Sequence, residues 1–198
     1  MHRRRVLTFA LASMVAVTVA ACGARGEEPQ AEGSQTPAGS SPTAQTDGSE
    51  QTSQVDATFA ATMIPHHEMG IEMTKMALEK AATPGVKQVA ETAQASQQEQ
   101  LPQLREIADA AGMEPMSPEP PLQELNDQQM AELQALQGED FDRRWLDVFR
   151  SHHMAAIMMA DVALATDDDG PAQALEQTIH DGQLDDVEQM NALRADLG

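Results

Sequence analysis

The 198-residue chain has no tyrosine, one tryptophan, four phenylalanines and one cysteine. So few aromatics argue against a β-rich core and leave nothing for a surface that stacks nucleic-acid bases. A single thiol excludes both a disulfide framework and a thiolate metal site. Basic residues are scarce too: 12 Lys and Arg stand against 32 Asp and Glu, for a net charge of −20. Such a surface repels nucleic acid and anionic membranes and gathers cations. The chain holds no Glu-x-x-His, the motif that a di-iron bundle oxidase carries on two of its helices. It also lacks an evident nucleophile–base arrangement for hydrolysis. It reads as a non-enzyme.

What is present begins with an export signal. Met1-His2-Arg3-Arg4-Arg5 is basic and Val6 to Ala21 is almost wholly apolar or small, too short for a comfortable membrane span. The paired arginines resemble a twin-arginine signal. Val19-Ala20-Ala21-Cys22 resembles a lipobox, in which Cys22 is lipidated and becomes the new N-terminus. Residues 1–21 are therefore expected to be a lipoprotein signal peptide. Residues 22–54 follow as a Gly-, Ser-, Thr-, Pro- and Gln-rich tether with too little apolar surface to offset chain entropy. The folded domain is expected over 55–198, on the extracytoplasmic face of the cell envelope.

That domain contains an internal repeat. Sliding the sequence by 86 residues lays Asp56 on Asp142, His66-His67 on His152-His153, Ile71 on Ile157 and Met73 on Met159. The register continues through Ala77-Leu78 with Ala163-Leu164, Thr92 with Thr178, Gln97 with Gln183 and Gln103 with Gln189. Each copy, 56–111 and 141–197, reads as a helix hairpin. Periodicity predicts helices near 56–82, 85–111, 141–165 and 171–196, with Asp56 and Asp142 as caps and Thr83 capping ahead of Pro84. Asp167-Asp168-Asp169-Gly170-Pro171 breaks the second hairpin. A proline-rich stretch, Met113 to Leu125, links the copies, followed by a short helix near 127–137. Pro65 and Pro102 fall inside helices and should kink them. The predicted fold is all-α, an antiparallel four-helix bundle.

The chemistry sits on the first helix of each copy. His66, Gly70 and Met73 share one stripe at about 100° per residue, with Met69 and Met76 at its edge and His67 and Met63 alongside. His152, Ala156 and Met159 repeat the stripe, flanked by His153. The two His-His pairs can converge on each other or open onto the bundle surface. Imidazoles with thioethers and no thiols form a ligand field for a soft or borderline metal, and copper in either oxidation state fits best. Met154 and Met158 replace Glu68 and Glu72, so they should face solvent, where a ligand role explains them better than packing. Zinc fits less well, because carboxylates are not spaced with the histidines. Gln97 and Gln183 should point inward near the histidine level, either orienting imidazoles or fixing register as a buried polar pair. His180, whose counterpart is Gln94, is read as an ordinary surface histidine.

Phe59-x3-Met63-Ile64-Pro65-His66-His67, followed by Ile71 and Met73, resembles the signature of the bacterial domain-of-unknown-function 305 family. Gln183-x2-Asp186-Val187-x2-Met190 is similar to that family's pattern on the partner helix. The resemblance covers essentially all of 55–198. It implies a ferritin-like four-helix bundle, secreted or lipid-anchored, with copper bound by His and Met in some members. Carried over, it names His66, His67, Met73, His152, His153 and Met159 as copper ligands. Met63, Met69, Met76, Met154 and Met158 follow as secondary ones. The second copy departs from the signature, reading Phe149-Arg150-Ser151, and Arg150 brings a positive charge beside its histidine pair. The expected function is extracytoplasmic copper sequestration, tolerance or hand-over, with the membrane reached only through the lipid and no nucleic-acid partner. The alternative is a metal-free structural or adaptor bundle that binds an envelope protein.

Overall fold

The computed structural model describes residues 48–166 and 172–198, all helices and connections with no strand among them. The elements are α1 (Gly48–Lys80), α2 (Pro84–Ala110), α3 (Pro120–Ala135), α4 (Gly138–Leu164) and α5 (Gln173–Asp196). The signal peptide, Cys22, the tether up to residue 47 and the Asp167–Pro171 turn lie outside the described residues. The four long helices fall where the repeat puts them, with two boundary corrections. Helix α1 starts at Gly48, so the last seven residues assigned to the tether are helical; no proline or further glycine intervenes before Asp56 to stop it. Helix α3 starts at Pro120 rather than near 127, because two prolines in the first turn are compatible with helix entry.

The aspartate caps are also corrected. Asp56 and Asp142 lie inside α1 and α4 and are buried, not at helix starts. Asp142 instead reaches the other hairpin: its carboxylate accepts the N–H groups of Ala82 (3.1 Å) and Thr83 (2.7 Å). Thr83 stands at the N-cap of α2 in extended conformation, yet its side chain makes no capping bond. The cap of the first hairpin is thus supplied by the second, which ties the copies together where a local cap would not.

Pro65 has a similar long-range consequence. A proline inside a helix leaves the carbonyl four residues earlier without its donor. That carbonyl belongs to Ala61, and it accepts the backbone N–H of Met116 at 2.8 Å. The linker between the copies is strapped to α1 at the point where proline opened it.

Helix α1 packs on α2 and α4 on α5; the hairpins join through α1 with α4 and α2 with α5. Asp142, early in α4, meets the end of α1, and Gly85, early in α2, lies against Leu193 near the end of α5. Helices paired across the hairpins therefore run in opposite directions. Helix α3 docks beside them through buried Leu133, and Lys80 donates to its terminal carbonyls of Leu133 and Gln134, both at 2.7 Å. The apolar interior is divided in two. One cluster joins the later half of α1 to the earlier half of α4 and includes Met73, Phe141, Trp145 and Phe149. The other joins the earlier half of α1 to the later half of α4 and includes Phe59, Met63, Ile64 and Ala160. Between them lies a polar layer drawn from all four long helices.

Candidate metal centre

Each long helix contributes to that layer at the position where its two apolar stretches meet. From α1 come His66 and His67, and from α4 His152 and His153. From α2 come Gln97 and Gln100, and from α5 Gln183 and Asp186. His67 and His153 are fully buried, and His152 is 6% exposed; His66 keeps part of its ring at the surface. The pseudo-twofold relation brings the first histidine of each pair together: the His66 and His152 rings stack with centroids 3.6 Å apart. Of the two arrangements open from the sequence, the pairs therefore converge. Phe149 backs the group, 5.8 Å from His152 and 4.3 Å from His153, and itself stacks on Trp145 at 4.5 Å. Trp145 is fixed in turn by donating its indole N–H to the Met73 carbonyl at 2.9 Å.

Three imidazoles have one nitrogen committed. His67 Nε2–H donates to Gln100 Oε1 (2.8 Å) and His153 Nε2–H to Asp186 Oδ2 (3.2 Å). His152 Nε2–H donates to the backbone carbonyl of His66 (3.0 Å). Fixing Nε2 as the protonated atom leaves Nδ1 of a neutral ring with a free lone pair. The Nδ1 atoms of His66, His67, His152 and His153 are all buried and without a protein partner. Burial is the main force keeping the rings of His66, His67 and His152 neutral. It lowers His66 to about 3, helped by the charges of His67 and His153. It lowers His67 to about 4 against the opposing hydrogen bond to Gln100. His152 is held well below its ordinary range by burial and by the neighbouring His66.

These atoms fit a soft cation. A buried lone pair on a neutral imidazole, with the opposite N–H tied to an oxygen, is the usual arrangement of a metal-ligating histidine. Among the described residues no three His, Cys, Asp or Glu side chains, those of the imidazole layer included, group as a ready-made metal site. The partners that orient the imidazoles are Gln100, which sequence reasoning passed over, and Asp186, which it quoted only within the family's partner-helix pattern and gave no role. Each lies 33 residues beyond its histidine, and the two are 86 apart, so the repeat spacing contained them; comparison by identity missed a Gln matched to an Asp. Gln97 and Gln183, expected near the histidines, are buried in the layer but hydrogen-bond to no imidazole, and neither amide has a protein partner. The Gln97 amide lies instead against Gly70, where a side chain of any size would collide with it.

The methionines divide. Met63 and Met73 are fully buried, one in each apolar cluster, flanking the layer. Met69 and Met76 pack partly buried on one cluster and Met159 on the other. Met154 (38% exposed) and Met158 (65%) face solvent as their replacement of Glu68 and Glu72 implies. His180 stands away from the layer, bonded to Asp181 at 2.8 Å and facing Asp161 at 3.4 Å. Arg150 is partly exposed.

The sequence profile of DUF305, a domain of unknown function, matches residues 10–108 and again 56–194, the two matches overlapping over most of the first hairpin. No match was found among curated proteins. Solved structures do match. A DUF305 protein of Streptomyces coelicolor, whose name assigns it to secretion, is 23% identical with a TM-score of 0.64, over 73% of this chain and 92% of that one. CopM in its Cu(II)-bound form is 25% identical with a TM-score of 0.61, over 72% of this chain and 97% of CopM. CopM soaked with silver is 26% identical with a TM-score of 0.58, over 71% and 95%.

Proposed function

The chain belongs to the DUF305 family, and on that footing we propose that it is a non-enzymatic copper-binding protein of the cell envelope, anchored through a lipid on Cys22. Its role is to sequester copper or hand it on. The observation that carries this reading is the layer of four imidazoles whose Nδ1 atoms are buried and unpartnered. His66 and His152 would hold the ion between the hairpins, with His67 and His153 beside them and thioethers from Met73 and Met159 as further ligands. Bound there, copper supplies affinity for soft donors and no reaction step. The copper- and silver-bound forms of CopM support the same class of cargo. The resemblance of residues 19–22 to a lipobox supports the anchor; a Cys22→Ser variant leaves the membrane fraction, and one that stays there contradicts it.

Competition against a Cu(I) chelator tests the binding. The protein takes up Cu(I) saturably and in preference to zinc. The His66→Ala/His152→Ala variant binds it about a hundredfold more weakly or worse, since loss of a supporting group alone costs 10- to 100-fold. Equal saturable binding by both proteins would leave the stacked histidines as packing residues and put the metal elsewhere, and no saturable binding by either would favour the metal-free adaptor.

A further inference from the structure

On the face away from the α1–α4 contact, α2 and α5 enclose a cleft of about 230 Å³. Its lining includes Gln97 and Gln100 from α2 and Gln183 and Asp186 from α5, with Ser96 and Gly182 also in its wall. Gln100 and Asp186 are the same residues that hold His67 and His153. One side chain therefore separates the cleft from an imidazole on each side of the pseudo-twofold. Beside them the amides of Gln97 (2% exposed) and Gln183 (5%) are buried with oxygen and nitrogen both unpartnered. A buried carboxamide without partners costs stability, and two at matched positions call for a polar occupant.

We propose that this cleft is the port through which a soft monovalent cation passes from solvent to the imidazole layer. The Gln97 and Gln183 carboxamide oxygens are its transient ligands. The inference rests on the proposed copper binding and adds its route. A cation shedding water needs oxygen or nitrogen contacts at every step, because an isolated charge among apolar groups is strongly disfavoured. Apolar clusters close both ends of the bundle to it. Beneath its floor lie the buried Gln97 and Gln183 carboxamides, neutral groups that bind a soft ion weakly enough to release it. Asp185, exposed at the edge of the cleft, makes the mouth electronegative, which raises the local cation concentration.

The wall can be altered without touching a ligand. A Cβ added at Gly182 meets nothing within 4 Å, so a larger residue there fills the cleft rather than the core. Ser96, exposed on the opposite wall, allows a second plug. Stopped-flow transfer of Cu(I) from a weak chelator to the full chain would be followed for wild type, Gly182→Ala, Gly182→Phe and Ser96→Trp. Both large substitutions slow uptake by about tenfold or more while equilibrium affinity stays at the wild-type value, because entry must wait for the helices to part. Gly182→Ala stays near wild type. Unchanged uptake rates in both plugged variants, with binding intact, would overturn the port and leave the copper site standing. Absence of saturable Cu(I) binding by the wild type would overturn the site itself.

Discussion

Chelator-treated protein loses on the order of 3 kcal/mol of stability through His67 alone as pH falls from 6.5 to about 4. The unfolded chain takes up a proton on this imidazole near pH 6.5, whereas burial keeps the folded ring neutral down to about 4. Within that window the unfolded state binds more protons, so stability rises with pH and drains away on acidification. His66 and His152, also lowered by burial, act in the same direction. Neutralisation of the acidic surface opposes them by relieving a net charge of −20, so the whole-protein curve is a difference of two trends. Urea unfolding at a series of pH values separates them by comparison with His67→Gln. The variant's stability falls less steeply between pH 6.5 and 4, by close to one proton. Parallel curves for the two proteins would mean that the imidazole is not held neutral by the fold.

Trp145→Ala destabilises the domain by about 3–5 kcal/mol, the range for emptying a fully buried large aromatic site. Trp145 is 0% exposed, stacks on Phe149 and gives its N–H to the Met73 carbonyl, so the loss combines a cavity with a broken inter-helix bond. The damage also reaches the polar layer, because Phe149 is the face on which His152 and His153 rest. Thermal unfolding reads the effect as a fall of about 10 °C, taking 2–4 °C per kcal/mol for a domain of this size. Trp145→Phe keeps most of the volume and loses roughly half as much or less. A shift of only a degree or two in Trp145→Ala would contradict the packing described.

The shift of 86 residues makes the architecture legible in the sequence, since it dictates two alike hairpins and hence two alike helix pairs. It also placed the two His-His pairs in equivalent positions. The stacking of His66 on His152 was not legible, because a repeat does not state which faces meet. The errors about caps and imidazole partners share one origin in tertiary contact. Asp142 has the residue type of a local cap and lies one turn into its helix, yet its partners are the Ala82 and Thr83 amides of the other copy. Gln100 has no local pattern of its own and Asp186 belongs to one that states no partner; only the fold shows that they face His67 and His153. The early start of α1 was hidden because polar, helix-compatible residues between Gly48 and Asp56 have the composition of a tether. Solvent exposure of Met154 and Met158 was readable, since the first copy has glutamates there.

The central claim is that the Nδ1 atoms of the imidazole layer receive the metal. Nitrogen NMR of histidine-labelled protein during titration with Ag(I), a redox-silent stand-in for Cu(I), tests it most directly. The Nδ1 resonances of His66 and His152 shift on binding, with the Nε2–H of His152, His67 and His153 still protonated. Shifts confined to Nε2, or no change at any of the four histidines while silver binds elsewhere, would contradict it.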